Sequence, residues 1–353
     1  MSLMLEEIRQ QPDVLERTLA AEIKNVERLK RALAANRPRM IILAARGTSD
    51  NAAQFGRYLL EIATGIPVSL AAPSIFTLYG AQVTFQDALV VAISQSGEST
   101  DTNLVLERAR EQGTLTVGIT NESESTLAKL ADHLILVRAG RENSVAATKT
   151  YTGQLIALYL LAYALGAPVD LDELRRVPGW AGSALRLEKE IHQRASRFRF
   201  MNHTVVVGRG LNYANAFELA LKMMETCYVV AERFSSADFL HGPIAMVERD
   251  FPVFVFAPGG VTWGSMRPMI EKLRQAGAEM LLITDRSNRA AIDLALPTIC
   301  VPARLAVSGI LPEEVFTPIP YIIPGQLFAA RLAEEKGLNP DEPRLLSKVT
   351  RTL

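Results

Sequence analysis

Glu218, Lys222 and Glu225 fall at spacings of four and three within Asn215-Ala-Phe-Glu-Leu-Ala-Leu-Lys-Met-Met-Glu225. On a helix those spacings put all three charges on one face, where neighbouring side chains touch. Ala214, Ala216, Phe217, Leu219, Ala220, Leu221, Met223 and Met224 leave almost no other polar position, so the charged stripe either faces a wet cleft or is paired. Both settings perturb acid–base behaviour and make a carboxylate usable as a base. A solvated helix carrying a Glu–Lys pair is the plainer alternative. The second candidate is His241, which alone of His133, His192, His203 and His241 sits in a Gly/Pro-bounded loop. A histidine there can donate and accept protons near neutral pH, though loop histidines commonly serve only as polar surface. No two histidines have metal-ligand spacing, so no metal is expected.

Ala92-Ile-Ser-Gln-Ser-Gly-Glu-Ser-Thr100 offers chemistry of another kind: an apolar strand runs without a spacer into a loop of four hydroxyls and one glycine. Hydroxyls and free backbone N–H groups at a strand-to-helix junction wrap phosphate oxygens, while the helix N-terminus supplies partial positive charge. The loop is therefore expected to hold an anion without a cation. Asp101, Thr102 and Asn103 suit the helix start, and Leu104, Leu106 and Ala109 continue it. A Ser-rich turn capping that helix fits the same residues. Gly47-Thr48-Ser49 ends another strand, and ligands of open α/β sheets sit beyond strand carboxyl ends. Two such turns at adjacent strand ends form a more specific signal than either alone. Glu142-Asn-Ser-Val-Ala-Ala-Thr-Lys149 offers small residues for close ligand approach, and a Thr148 helix cap explains it equally well.

These residues need a scaffold, and the chain of 353 residues, 48% apolar and 22% charged, can bury one large core or two ordinary ones. Its formal charge of zero leaves no electrostatic footprint for nucleic acid or an anionic membrane, so a small molecule is the expected ligand. Cys227 and Cys300 offer no disulfide framework, which suits a reducing compartment. With apolar runs too short to span a membrane and no signal pattern at the N-terminus, a cytoplasmic protein is expected.

Amphipathic helices are predicted over the first forty residues, then strands at 40–45, 68–71, 88–93, 115–119 and 133–137, with a helix over 51–62. Runs apolar on both faces belong to a parallel sheet covered by helices. The pattern then recurs: 204–210 echoes 43–47, 252–260 echoes the strand before the serine loop, 280–285 echoes 116–121, and 298–302 echoes 133–137. A duplicated, doubly wound α/β domain follows. The expected boundaries are N-terminal helices at 1–34, domain one at 35–165, a helical linker at 166–199, domain two at 200–330 and a tail at 331–353. Because Pro258-Gly259-Gly260 lacks hydroxyls, the anion site is assigned to the first copy.

Together the serine loop, Gly47-Thr48-Ser49, Val145-Ala-Ala-Thr-Lys149, the Glu218/Lys222/Glu225 helix, His241-Gly-Pro and Ser347-Lys348-Val-Thr350 resemble the sugar isomerase (SIS) family. The similarity is specifically to the isomerase half of glucosamine-6-phosphate synthases, in matching order over nearly the whole chain. It implies two tandem flavodoxin-like SIS domains in which Ser94, Gln95, Ser96 and Thr100, with Thr48 and Ser49, bind a hexose phosphate. It further implies that Glu225 moves a proton between C1 and C2, that His241 assists ring opening, and that Lys222 and Lys348 contact substrate oxygens or a carbonyl carbon. Val145, Ala147, Glu218 and Ser347 join the substrate contacts, the tail closes the site, and no cofactor or metal is implied. A homodimer sharing His241 across its interface is expected, with a sugar phosphate as the partner ligand and neither nucleic acid nor membrane. Aldose–ketose interconversion independently needs one proton-carrying carboxylate and electrophiles for an enolate-like intermediate.

Departures from the synthases narrow the expected reaction. Synthases carry a glutaminase domain with a leading cysteine, whereas here Ser2 follows Met1 and the first strand opens at Met40, so use of glutamine through this chain is not expected. Arg46 stands where synthases have cysteine before Gly-Thr-Ser, and Leu240 where they have lysine before the histidine, which puts feedback and channel features in doubt. The resulting form resembles stand-alone SIS-type deaminases that turn glucosamine 6-phosphate into fructose 6-phosphate and ammonia. Alternatives are a deglycase acting on a sugar-amine phosphate, a galactosamine-6-phosphate deaminase, an ammonia-dependent isomerase subunit, or a non-catalytic sugar-phosphate sensor.

Overall fold

The computed structural model of the chain describes residues 2–348. These form two compact units, the first built from 13–143, 149–171 and 346–348 and the second from 2–12, 144–148 and 172–345. The first holds strands β1 (Met40–Ala44), β2 (Val68–Leu70), β3 (Ala88–Ser94), β4 (Leu115–Thr120) and β5 (His133–Leu136), all parallel in the order β2-β1-β3-β4-β5. Every residue of β3 is buried, as a central strand covered by helices on both faces must be. The strand order reverses between β1 and β3, which is where open sheets of this kind leave a crevice for ligand. Their register pairs Ala44, the last residue of β1, with Ala92, and β3 runs on for two residues to Ser94.

The Lys149–Ala164 helix is buried along nearly its whole length and packs on the Thr48–Thr64 helix, where Phe55 and Tyr159 meet edge to face with ring centres 5.1 Å apart. A helix apolar all round must be covered on all sides. The second unit repeats the plan with β6 (His203–Gly208), β7 (Val230–Ser235), β8 (Pro252–Phe256), β9 (Glu279–Asp285) and β10 (Thr298–Val301), again parallel and ordered β7-β6-β8-β9-β10. The fold is thus two parallel five-stranded α/β sheets in tandem, as the internal echo predicts.

Three local differences from the sequence expectation have physical causes. Strand β7 escaped the echo because Val230, Glu232 and Arg233 are exposed on a sheet edge, and only pairing with β6 makes that polar stretch a strand. The helix expected from residue 51 begins at Thr48, which moves Thr48 and Ser49 from a loop into its first turn. The helical stretch seen at 327–336 is the back of a longer helix, Pro318–Glu335, whose front is masked in sequence by Pro318, Pro320 and Pro324. Pro318 and Pro320 fall in the first turn, where a missing N–H would be unsatisfied anyway, while Pro324 lies inside the helix. Val349 and Thr350 of the C-terminal motif lie outside the described residues. No described helix is long and apolar enough to cross a membrane.

Candidate active site

In the first unit, β3 ends on Ser94, whose buried Oγ accepts a hydrogen bond from the Gly97 N–H at 3.1 Å. Ser96 Oγ likewise accepts from Glu98 N–H at 3.3 Å, and Ser49 Oγ from Gln154 Nε2 at 2.8 Å. In each case the oxygen serves as acceptor, which leaves its O–H proton available for another partner. Three serines engaged in this way can supply donors to an anion. The turn is fixed from below: Gly97 has φ of +66°, and a β-carbon there would fall onto the Ser125 side chain. Asn103 Nδ2 donates to the Gly97 carbonyl at 3.0 Å, and Thr120 Oγ1 to the Gln95 carbonyl at 3.2 Å. The Thr100–Glu111 helix follows, with Ser99 at its cap making no side-chain capping bond. Thr100 itself is exposed at the helix start, and Gln95 is half-buried.

A cation also stands beside this loop, which the sequence expectation did not include. Arg46 Nε and Nη2 both donate to Asp101 Oδ2, at 3.1 and 2.7 Å. The signal was available in the residue preceding Gly47, but its direction depends on how β1 and β3 pair. Lys348, also in the first unit, donates to Glu142 Oε2 at 3.2 Å, and the same buried carboxylate accepts from Thr150 N–H and Oγ1. Adjacent Ser347 is exposed.

In the second unit, the Tyr213–Cys227 helix packs on β6, β7 and the Pro318–Glu335 helix. Glu218 and Lys222 have fully buried side chains, while Glu225 keeps 21% of its side-chain surface exposed. Lys222 Nζ donates to Glu225 Oε2 at 2.6 Å and lies 3.5 Å from Glu218 Oε1. Burying such ions costs on the order of several kcal/mol each, so this trio is a poor way to stabilise a helix. It is a good way to aim one accessible carboxylate outward with an ammonium beside it. His241 is exposed at the end of the short helix Ser236–Leu240, its N–H bonded to the Asp238 carbonyl at 3.1 Å. Val145 and Ala147, both half-buried, flank Ala146 in a segment tied to its unit by Gln326 Nε2 on the Thr148 carbonyl at 3.3 Å.

The two sheets diverge at the turn after their third strands. Where the first has the serine loop, the second has Gly259 and Gly260, and the buried carboxylate of Glu314 accepts from Val261 N–H and Thr262 N–H at 3.3 Å each. Those N–H groups open the Trp263–Gln275 helix. The second cradle is therefore filled by the protein's own anion.

The SIS domain family model matches residues 36–164 and 198–311. The isomerizing glutamine–fructose-6-phosphate aminotransferase of Pyrococcus horikoshii is 35% identical over 98% of this chain, which spans 57% of that protein's length. Its counterpart in Pseudomonas aeruginosa is 34% identical, covering 98% of this chain and 58% of that one. Among solved structures, the C-terminal domain of glucosamine-fructose-6-phosphate aminotransferase from Francisella tularensis matches with a TM-score of 0.87 at 28% identity, over 97% of this chain and 98% of that one. The curated relatives are thus nearly twice as long as the region they share with this chain. The chain belongs to the SIS domain family.

Proposed function

We propose that the protein is a sugar-phosphate aldose–ketose isomerase acting on an amino sugar, converting glucosamine 6-phosphate and water into fructose 6-phosphate and ammonia. The observation that carries this reading is the buried Lys222 holding the partly exposed Glu225 at 2.6 Å on a helix otherwise clad in apolar side chains. Glu225 takes the proton from C2 of the open-chain sugar and returns it to C1, while Lys222 stabilises the negative charge that develops in between. The product of that shift is a C2 imine, and water adds to it to expel ammonia. His241, exposed in its loop, opens the ring, and a homodimer brings it to the partner's sugar. Lys348 contacts substrate oxygens. Ser49, Ser94 and Ser96, with Thr48, Gln95 and Thr100, hold the phosphate; Val145, Ala147, Glu218 and Ser347 line the sugar.

The names of the relatives support this class, since their reaction joins nitrogen to fructose 6-phosphate and isomerises the result. Release of ammonia is the reverse of that sequence without glutamine. Burial pushes the Cys227 thiol up to about 11 and also raises that of Cys300, so neither is an activated nucleophile. Incubation with glucosamine 6-phosphate is expected to liberate ammonia and a ketose phosphate in equal amounts. A panel including galactosamine 6-phosphate and fructoselysine 6-phosphate identifies the preferred substrate, and absence of turnover on every member would refute the assignment.

A further inference from the structure

We infer that Arg46 is a positioning residue of the anion site, neutralising Asp101 beneath the serine loop so that the two hydroxyl-bearing turns accept a doubly charged phosphate. This rests on the phosphate-binding role proposed above for those turns. Strand β1 ends at Ala44 opposite Ala92 of β3, so Arg46 and Ser94 each follow that last pair by two residues of chain. Its carbonyl anchors the neighbouring turn, accepting from Ser49 N–H at 3.2 Å and Asp50 N–H at 3.3 Å. Its guanidinium spans to Asp101, whose side chain is 3% exposed while that of Arg46 is 48% exposed.

Asp101 lies in the first turn of the Thr100–Glu111 helix, where a carboxylate complements the helix dipole. A phosphate bound at the same terminus meets that carboxylate as a like charge. The fork of Nε and Nη2 on a single oxygen cancels it, and Nη1 stays outside the pair. A second carboxylate, Asp50, occupies the first turn of the Thr48–Thr64 helix; burial raises its pKa and Arg46 draws it back. One cation thus serves the acidic first turns of both helices that carry the phosphate-binding hydroxyls. A lysine ammonium is a point charge and cannot reproduce the fork.

The test is calorimetric binding of inorganic phosphate to the intact protein and its variants, alongside turnover of glucosamine 6-phosphate. Arg46→Met is expected to weaken phosphate binding about tenfold, the size of one screened charge at close range. The KM for the sugar phosphate should rise in parallel, with kcat within about twofold, and the gap should narrow at high salt as exposed charges are screened. Asp101→Asn alone should bind phosphate at least as tightly as the wild type, and Arg46→Met/Asp101→Asn should recover most of the lost affinity. A merely structural arginine would give no such recovery. Equal binding by wild type and Arg46→Met, weaker binding by Asp101→Asn, or a double variant no better than Arg46→Met overturns the inference. Failure of the wild type itself to bind phosphate overturns the phosphate-handle reading instead, and is seen before any variant is compared.

Discussion

Lys222 acts from behind Glu225, because its fully buried ammonium reaches no solvent and lies against Glu225 and Glu218 of the same helix. Glu225 is the member that keeps exposed surface, so it is the one able to meet a substrate carbon. Glu225→Gln preserves shape and the bond to Lys222 while removing the base, and is expected to lower kcat by about 100- to 10,000-fold with KM little changed. Steady-state ammonia release, with circular dichroism to verify the fold, measures this. The sequence placed the three charges on one helical face because helical spacing is a local property. It left open whether that face was wet or paired, since burial of Lys222 depends on neighbours from β6, β7 and the Pro318–Glu335 helix. Cysteine reactivity belongs to the same scale. Cys227 Sγ donates to the Ala329 carbonyl at 3.1 Å and its raised pKa keeps it protonated at neutral pH. Brief treatment with iodoacetamide should label the half-exposed Cys300 and leave Cys227 unmodified, as peptide mass spectrometry would show.

At the scale of elements, one strand–turn–helix unit occurs twice and is used in two ways. After β3 the turn offers hydroxyls; after β8 it is occupied by Glu314, which lies more than fifty residues further along the chain. Gly260 makes room for that carboxylate: its φ is +89°, and a β-carbon would fall on the Glu314 side chain. Gly260→Ala combines a strained backbone with displacement of a buried carboxylate, and should cost about 2–5 kcal/mol in chemical denaturation. Glu314→Gln, which retains an acceptor oxygen, should cost less. If Gly260→Ala unfolds at the wild-type denaturant concentration, Glu314 does not occupy the cradle in solution. The duplicated sheets were legible because central parallel strands are continuous apolar runs, readable one segment at a time. The lack of hydroxyls in Pro258-Gly259-Gly260 was legible too. Its filling by Glu314 was not, because the partner is distant in sequence and nothing local marks it, and β7 was hidden for the related reason that an edge strand needs no apolar run.

For the whole molecule, chain order and unit membership differ. The first sheet is drawn from residues 40–136, yet segments 2–12 and 144–148 belong to the unit of the second sheet. No pattern of hydrophobicity reveals such an exchange, because each segment is amphipathic or small-residue sequence that fits either neighbour. Beside the burial of Met4, Leu5 and Ile8, polar contacts tie 2–12 to the second unit. Arg9 donates to Glu188 through Nε at 3.0 Å and Nη2 at 2.6 Å, Arg331 donates to Glu188 Oε1 at 2.5 Å, and Asp341 accepts from Leu3 N–H and Met4 N–H at 2.8 Å each. The hydrogen bond from Arg9, and after it that from Arg331, hold the Glu188 carboxyl below its ordinary pKa, against the opposing effect of burial. The unfolded chain therefore binds a proton at Glu188 at a pH where the folded chain does not. Stability from this clasp is fully present above the ordinary carboxylate value of about 4.3 and is lost as pH falls through the lower folded value. Because the clasp is only partly buried, its contribution is modest and salt-sensitive. Thermal melts are thus expected to show wild type and Glu188→Gln separated at neutral pH and converging as the solution is acidified below that range. A constant separation down to the acid limit would mean that the three side chains do not form the clasp in solution, and the N-terminal helix would then be held by its other contacts, among them Asp341 and apolar packing.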